Sequence, residues 1–205
     1  MLILVGESAS GKTSIEKCLV ENYGYTKIVS YTTRPPRANE IDGVDYHFIS
    51  IEKFLELKAN GFFAETAQYN DWYYGTAKED CTDNKVAVLT PHGMRQIKKI
   101  DGIHTTCFYI KVPRRDRLVK ILQRGDNIEE AYRRNVSDVG QFDGIEDEVD
   151  YIIHNPNYSY SILAMTKIVI LLSTGLSTGM DIEHIQDWIE EDKHRPFIND
   201  LIKVI

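Results

Sequence analysis

A glycine-rich stretch near the start of the chain constrains the fold more than any other feature. The stretch "GESASGKTS", residues 6–14, follows the apolar run "MLILV" and precedes a segment with apolar residues at helical spacing. It matches the pattern G-x-x-x-x-G-K-[ST] at Gly6, Gly11, Lys12 and Thr13. A glycine loop between a strand and a helix turns successive backbone N–H groups toward phosphate oxygens. The sequence therefore predicts a nucleoside triphosphate site.

Each part of this loop has a predicted role. Lys12 is expected to reach the β- and γ-phosphates, and Thr13 to offer its hydroxyl to Mg²⁺. A glycine-serine turn with a solvated lysine is the alternative, but both the pattern and its flanks fit the phosphate loop. The predicted ATP-binding residues are Gly6, Glu7, Ser8, Ala9, Ser10, Gly11, Lys12, Thr13 and Ser14.

The order of strands and helices predicts the fold class. Short apolar runs typical of buried parallel strands recur along the chain, and helical segments separate them. Such alternation is typical of an α/β fold with a parallel sheet flanked by helices. The predicted strands are "MLILV" (1–5), "KIVSY" (27–31), "KVAVLT" (85–90), "TTCFYIKV" (105–112) and "VDYIIHN" (149–155). The predicted helices span 12–22, 50–61, 114–124, 127–139, 158–173 and 181–192.

Composition excludes several classes of function. The net charge is -7, which disfavours broad attraction to nucleic acid or to an anionic membrane. The three cysteines form no CxxC pair, which argues against a disulfide framework or a zinc site. The longest apolar runs have five residues, as in "IVILL" at 168–172, and are too short to span a bilayer. We therefore expect a cytoplasmic protein with no nucleic-acid or membrane partner.

A second motif supplies the positive charge that an anion site needs. The stretch "SYTTRPPRANEIDGVDYHF", residues 30–48, holds Arg34 and Arg37 with no acidic residue before position 40. Two guanidinium groups this close can grip one phosphate bidentately, which lysines would do less well. Taken alone, the Arg-Pro-Pro-Arg segment could also be a solvated loop or a polyproline segment.

Together these stretches resemble the guanylate kinase family. The resemblance continues through Glu65, "YYGT" at 73–76, "RGDNIEEAYRR" at 124–134 and "DYIIHN" at 150–155, and it covers about residues 1–165. It implies ATP-dependent phosphorylation of GMP, and of dGMP, with ATP and Mg²⁺ required. It also implies three regions: a P-loop core (1–31, 81–112 and 146–205), an inserted GMP-binding subdomain (32–80) and a lid (113–145).

The resemblance further implies roles for individual residues in the GMP site. Arg34, Arg37, Tyr46 and Tyr74 would hold the GMP phosphate. Ser30, Glu65 and Thr76 would face the guanine. Guanine presents N1–H and N2–H₂ donors, and an ionised Glu65 could accept from both, whereas adenine offers no such pair. Glu65 could alternatively be a solvated strand residue, and the tyrosines could be core aromatics.

The predicted lid carries basic residues for the transferred phosphoryl group. The resemblance implies that Arg124 and Arg134 are catalytic. Lys120 occupies a position where the family usually has an arginine. The loop between Arg124 and Arg134 is one residue shorter than the family norm, so Arg134 matches less securely. The alternative is a basic helix face exposed to solvent.

One segment departs from the family pattern. The family carries acidic residues after the fourth strand, whereas this chain has Val88, Thr90 and His92. We expect a pocket rebuilt around Thr90, in which a new carboxylate would be partly buried without a partner. The alternative is an ordinary but weakened site, in which a carboxylate restored at position 90 would raise activity on GMP. The departure keeps open a nucleoside monophosphate kinase with another base preference. A non-catalytic module that binds phosphopeptides is a further alternative, which the intact Gly11, Lys12 and Thr13 disfavour.

The end of the chain also departs from the family, beyond about residue 172. Its segment "IEHIQDWIEED" is expected to pack on the core or on a second subunit rather than to take part in chemistry. The oligomeric state is accordingly left as monomer or homodimer.

Overall fold

A computed structural model describes residues 1–37, 40–69, 71–123, 128–174 and 202–204. The strands in chain order are β1 (Leu2–Val5), β2 (Thr26–Lys27), β3 (Tyr31–Thr32), β4 (His47–Phe48), β5 (Phe63–Tyr69), β6 (Trp72–Ala77), β7 (Lys85–Val88), β8 (Thr106–Lys111), β9 (Tyr151–His154) and β10 (Ile202–Val204). The helices are α1 (Lys12–Asn22), α2 (Ile51–Ala59), α3 (Pro91–Ile97), α4 (Arg114–Gln123), α5 (Ile128–Ser137) and α6 (Ile162–Ser173).

A central sheet carries the core of the molecule. Its strand order is β10-β9-β8-β1-β7-β2, and only β10 runs antiparallel to its neighbour. Leu2 and Leu4 on β1 face one apolar cluster, whereas Ile3 and Val5 face another. Because both faces are buried, the strand is apolar throughout, as expected for the interior of a parallel sheet. The predicted α/β class with a helix-flanked parallel sheet is confirmed.

A second, smaller sheet stands beside the first and has the order β4-β3-β6-β5. Helix α2 covers it through Phe54, whose ring stacks on Phe63 at 4.5 Å and on Tyr73 at 5.4 Å between centroids. Helix α3 links the two sheets, because the Gln96 side chain forms two hydrogen bonds to the backbone of Thr66 on β5. Thr66 N–H donates to Gln96 Oε1 over 3.1 Å, and Gln96 Nε2 donates to Thr66 O over 3.0 Å.

The prediction of a single strand over 27–31 is wrong. The segment is divided between the two sheets: β2 ends at Lys27 and β3 begins at Tyr31. Ile28 N–H still donates to Val86 O of the central sheet, whereas Ser30 O accepts from His47 N–H on the other side. The chain crosses between sheets here, so continuous apolar character does not mean continuous pairing.

Helices α1, α2, α4 and α5 begin and end within two residues of their predicted positions, whereas α3 was not predicted. Ser50 caps α2, because its hydroxyl accepts from Lys53 N–H at 3.2 Å. Helix α6 begins at Ile162 after the Ser161 cap rather than at Tyr158, because Asn157 and Tyr158 have positive φ values. The predicted helix over 181–192 lies outside the described residues. Within the described ranges, none of the helices combines the length and the apolarity needed to cross a membrane.

Candidate active site

The glycine loop connects β1 to α1, as the sequence predicts. Gly11 has a φ of 99°, a left-handed conformation that lets α1 start directly at Lys12. The Lys12 ammonium turns back over its own loop and donates to Glu7 O at 2.8 Å and to Ser10 Oγ at 3.3 Å. Desolvation by the surrounding protein lowers the pKa of Lys12 to about 8.

A charged network behind the loop was missed by the sequence analysis. Ser8 N–H donates to Asp138 Oδ2 at 2.8 Å, so a carboxylate takes one of the loop's donors. The buried Arg117 side chain lies 3.6 Å from that same oxygen and 3.4 Å from Glu7 Oε1. Its Nε donates to Val112 O at 3.0 Å, which fixes the guanidinium against the loop. Helix α4 and the turn that follows α5 are thereby tied to the predicted phosphate site.

A cavity of about 580 Å³ opens in front of the loop. Lys120 reaches it from α4, with its ammonium 5.4 Å from the ring centroid of Tyr158. The Tyr158 hydroxyl donates to Ala9 O at 2.8 Å. Lys120 therefore lies beside the predicted ATP site, and Tyr158 is a further wall residue that the sequence analysis did not single out.

The structure does not describe the side chains of the two predicted lid arginines. Arg124 lies outside the described residues. Arg134 belongs to α5, but its side chain is likewise outside the described part of the chain. Their catalytic roles remain predictions.

Just after β3, Arg34 lies close to two of the residues predicted to hold the GMP phosphate with it. Its side chain is buried, and its guanidinium carbon lies 5.6 Å from the Tyr46 ring centroid. The Tyr46 and Tyr74 rings contact edge to face, with centroids 6.1 Å apart. The structure thus gathers Arg34, Tyr46 and Tyr74, whereas Arg37 is exposed.

Glu40 holds this arginine and was not predicted. Both of its carboxylate oxygens accept from Arg34 Nη2, at 2.7 and 2.9 Å. Its Oε2 also accepts from Arg37 N–H at 2.8 Å. These contacts lower the pKa of Glu40, chiefly through the hydrogen bond from Arg34. Glu40 therefore fixes the loop that carries both arginines.

Glu65 is buried, which argues against a solvated strand residue. Only 6% of it is exposed, and the Thr76 hydroxyl donates to its Oε1 at 2.7 Å. Burial raises the pKa of Glu65, and the Thr76 hydrogen bond opposes this rise. The other oxygen, Oε2, faces Gly93, where a Cβ would lie only 3.1 Å away. Glu65 and Thr76, both predicted base contacts, are thus adjacent.

A second cavity, of about 200 Å³, joins the two halves of the site. Thr13 lines it from α1, and Ser30 and Tyr46 line it from the opposite side. The predicted metal residue and two predicted GMP residues therefore share one space. Within the described parts of the chain, no three His, Cys, Asp or Glu residues cluster closely enough to hold a metal.

The structure corrects the expectation for Thr90. Thr90 is exposed and caps α3, because its hydroxyl accepts from Gly93 N–H at 3.2 Å. His92 is also exposed, and Val88 is half-buried at the end of β7. A carboxylate at position 90 would therefore face solvent at a helix N-terminus and would not be buried.

Comparisons with known proteins agree with this architecture. The family model described as guanylate kinase matches residues 1–170. A guanylate kinase of Nitrosococcus oceani is 32% identical over 82% of this chain and 87% of its own length. One of Clostridioides difficile is 32% identical over 82% and 86%, respectively. A crystal structure of guanylate kinase from Anaplasma phagocytophilum shares the fold, with a TM-score of 0.64, 21% identity and 96% of both chains covered. The chain belongs to the guanylate kinase family.

Proposed function

We propose that this protein transfers the γ-phosphoryl group of ATP to GMP, and also to dGMP, and releases ADP with GDP or dGDP. The observation that carries the proposal is the cavity shared by Thr13, Ser30 and Tyr46, because phosphoryl transfer needs donor and acceptor in one enclosed space. The guanylate kinase relatives support the same reaction.

On the donor side, the glycine loop would bind the ATP phosphates through its backbone N–H groups. The Lys12 ammonium would leave Glu7 O and Ser10 Oγ and move to the β- and γ-phosphate oxygens. Transfer of this ammonium from neutral to anionic oxygens strengthens its hydrogen bonds. The residues assigned to ATP are those of the loop, 6–14, with Arg124 and Arg134 completing the charge around the transferred group.

On the acceptor side, we assign the GMP phosphate to Arg34, Arg37, Tyr46 and Tyr74. The base is assigned to Ser30, Glu65 and Thr76. Glu65 is the specificity residue, because its Oε2 has no hydrogen-bond donor among the described residues and lies in a buried pocket. Its ionised carboxylate would accept from guanine N1–H and N2–H₂, and adenine would leave it unpaired.

The chemistry itself is positioning and charge stabilisation. The GMP phosphate oxygen attacks in line and needs no general base, since it is already ionised at neutral pH. Mg²⁺ would neutralise charge on the β- and γ-phosphate oxygens. The exposed Thr13 hydroxyl at the start of α1 fits such an ion as an oxygen ligand. We further propose that 32–80 and 113–145 close on the core to exclude water, which would otherwise hydrolyse ATP.

A coupled ADP-release assay across the common ribo- and deoxyribonucleoside monophosphates tests the proposal. We expect turnover with GMP and dGMP that exceeds turnover with AMP, CMP and UMP by at least about a hundredfold. Preference for another base would support the alternative kinase, for which Val88, Thr90 and His92 are the motivation. Absence of ATP turnover with every acceptor would favour a binding module instead.

A further inference from the structure

One buried acidic residue has no role in the site described so far. Glu16 lies on α1, three residues after Thr13, and only 6% of it is exposed. It lines the shared cavity of about 200 Å³ together with Thr13, Ser30, Tyr46 and Val88. The i, i+3 spacing on a helix places Glu16 and Thr13 on the same side of α1.

The carboxylate of Glu16 has no hydrogen-bond partner in the described part of the chain. Lys27, which lines the same cavity, is an opposite charge that acts on Glu16, yet it is exposed and forms no ion pair with Glu16 within the described residues. Burial raises the pKa of Glu16 to about 7. An unpaired carboxyl group in such a position is costly, and a ligand that supplies its partner would offset that cost.

The other walls of the cavity narrow the choice of that ligand. Asp45, the second carboxylate there, already accepts from Ile41 N–H at 2.8 Å. The Val88 side chain offers no ligand atom. Glu16 is therefore the carboxylate left for a cation between the phosphate loop and the GMP site. Mg²⁺ prefers oxygen ligands and keeps several of its waters, which suits one carboxylate beside one hydroxyl.

We propose that Glu16 belongs to the magnesium site, where it accepts hydrogen bonds from water molecules of an ion held by Thr13 and the nucleotide phosphates. This role rests on the proposed function, because it requires a nucleoside triphosphate on the glycine loop. Glu16 is a positioning residue here: it orients the hydrated ion and does not touch the reacting atoms.

This role can be tested by measuring the Mn²⁺ affinity of the whole chain saturated with ADP. Electron paramagnetic resonance monitors the bound and free ion. Replacing Glu16→Gln keeps the size of the side chain and removes its charge. Loss of such an outer contact typically weakens metal binding about 10- to 100-fold. We expect a loss in this range, with ADP affinity in the absence of metal unchanged. Glu16→Asp should give a smaller loss, and it serves as the second variant if Glu16→Gln does not fold.

The matched control is Glu21→Gln, on the same helix, because Glu21 is exposed and, among the described residues, pairs only with the exposed Lys17. It should leave Mn²⁺ affinity unchanged. Equal Mn²⁺ affinity in the wild type and in Glu16→Gln would overturn the inference. So would a change confined to GMP-against-dGMP discrimination, which would place Glu16 at the sugar. If the wild type transfers phosphate to GMP in either case, the proposed function stands and only the role of Glu16 fails.

Discussion

The base pocket and the phosphate loop differ in what already engages their polar groups. In the base pocket, Glu65 receives one side-chain hydrogen bond, from Thr76. Its second oxygen accepts no hydrogen bond from the described residues, so an N–H group of a bound base can donate one. In the loop, Ser8 N–H is bonded to Asp138, and the Lys12 ammonium is bonded to Glu7 O. Guanine would therefore complete a formed pocket, whereas ATP must replace contacts that the chain makes with itself.

The arginine loop of the GMP site behaves like the phosphate loop rather than like the base pocket. Arg34 donates to both carboxylate oxygens of Glu40. A carboxylate thus lies beside a predicted phosphate ligand in both phosphate sites. Such internal anions keep cationic and N–H groups in position before substrate binds, because an unpaired buried charge would be costly.

Lys12→Met removes the ammonium group of the phosphate loop and leaves the GMP site intact. It should have the largest effect. Loss of a contact to the transferred phosphoryl group costs about 3–5 kcal/mol, or roughly two to four powers of ten in kcat. GMP affinity, measured by calorimetry, should remain within about twofold. The control is Lys17→Met, because Lys17 is exposed on the same helix. Appreciable transfer by the Lys12 variant would remove this residue from the active site.

Glu65→Gln removes the carboxylate proposed to accept hydrogen bonds from guanine. The amide keeps the size but places an N–H₂ group where an acceptor is needed. Loss of a charge-assisted hydrogen bond costs about 1.5–3 kcal/mol, so kcat/KM for GMP should fall by about one to two powers of ten. The value for AMP should hardly change. Glu56→Gln, on the exposed face of α2, is the matched control. An unchanged ratio of GMP to AMP would show that Glu65 does not face the base.

Alkaline pH should separate the two sides without any mutation. Lys12 is charged below its pKa of about 8 and neutral above it, so ATP binding weakens on the alkaline side. Because kcat/KM reports groups of the free enzyme, its value for ATP at pH 9 should lie about tenfold below its plateau. Once ATP is bound, its phosphates stabilise the ammonium, and kcat should decline less. A flat kcat/KM up to pH 10 would contradict this.

Asp138→Asn should strengthen nucleotide binding, because it weakens an internal contact that ATP must displace. The neutral amide is a poorer acceptor for Ser8 N–H, so ADP should bind more tightly, by roughly two- to tenfold. The protein should also melt at a lower temperature, since Arg117 loses one of the two counterions that it has among the described residues. Calorimetric titration and a melting curve measure both effects. Weaker ADP binding would mean that Asp138 supports the loop rather than competing with the phosphate.

Thr90→Asp should have the smallest effect. Asp is at least as good as Thr at a helix N-cap, and the side chain here is exposed. The free energy of unfolding should change by less than about 0.5 kcal/mol. A melting curve and GMP kinetics check this. A marked drop in melting temperature would contradict this and would indicate that position 90 is buried.

Local chemistry made much of the fold and site predictable. The loop could be read from the sequence because its glycines, lysine and hydroxyl act through neighbouring backbone. Strand β1 could be read because both of its faces are buried, which leaves an uninterrupted apolar run. The same reasoning failed over 27–31, where apolar residues continue while the chain changes sheets.

The network around Arg117 could not be read in this way. On α4, Leu118, Val119 and Leu122 are exposed, whereas Arg117 is buried. A search for the apolar face of that helix therefore selects the wrong side. The partners of Arg117 are also remote, since its contact with Glu7 spans 110 positions of the chain. Only the tertiary arrangement of α4 against the glycine loop reveals the pairing.

The Gln96–Thr66 contact has a consequence for how this molecule meets other chains. Strand β5 is the last strand of its sheet, and an outer strand with free backbone groups can recruit a strand from another molecule. At Thr66, the carboxamide of Gln96 bonds to both the N–H and the C=O, as a neighbouring strand would. One side chain thus shields the middle of this edge from intermolecular β-pairing, and with it the strand that carries Glu65.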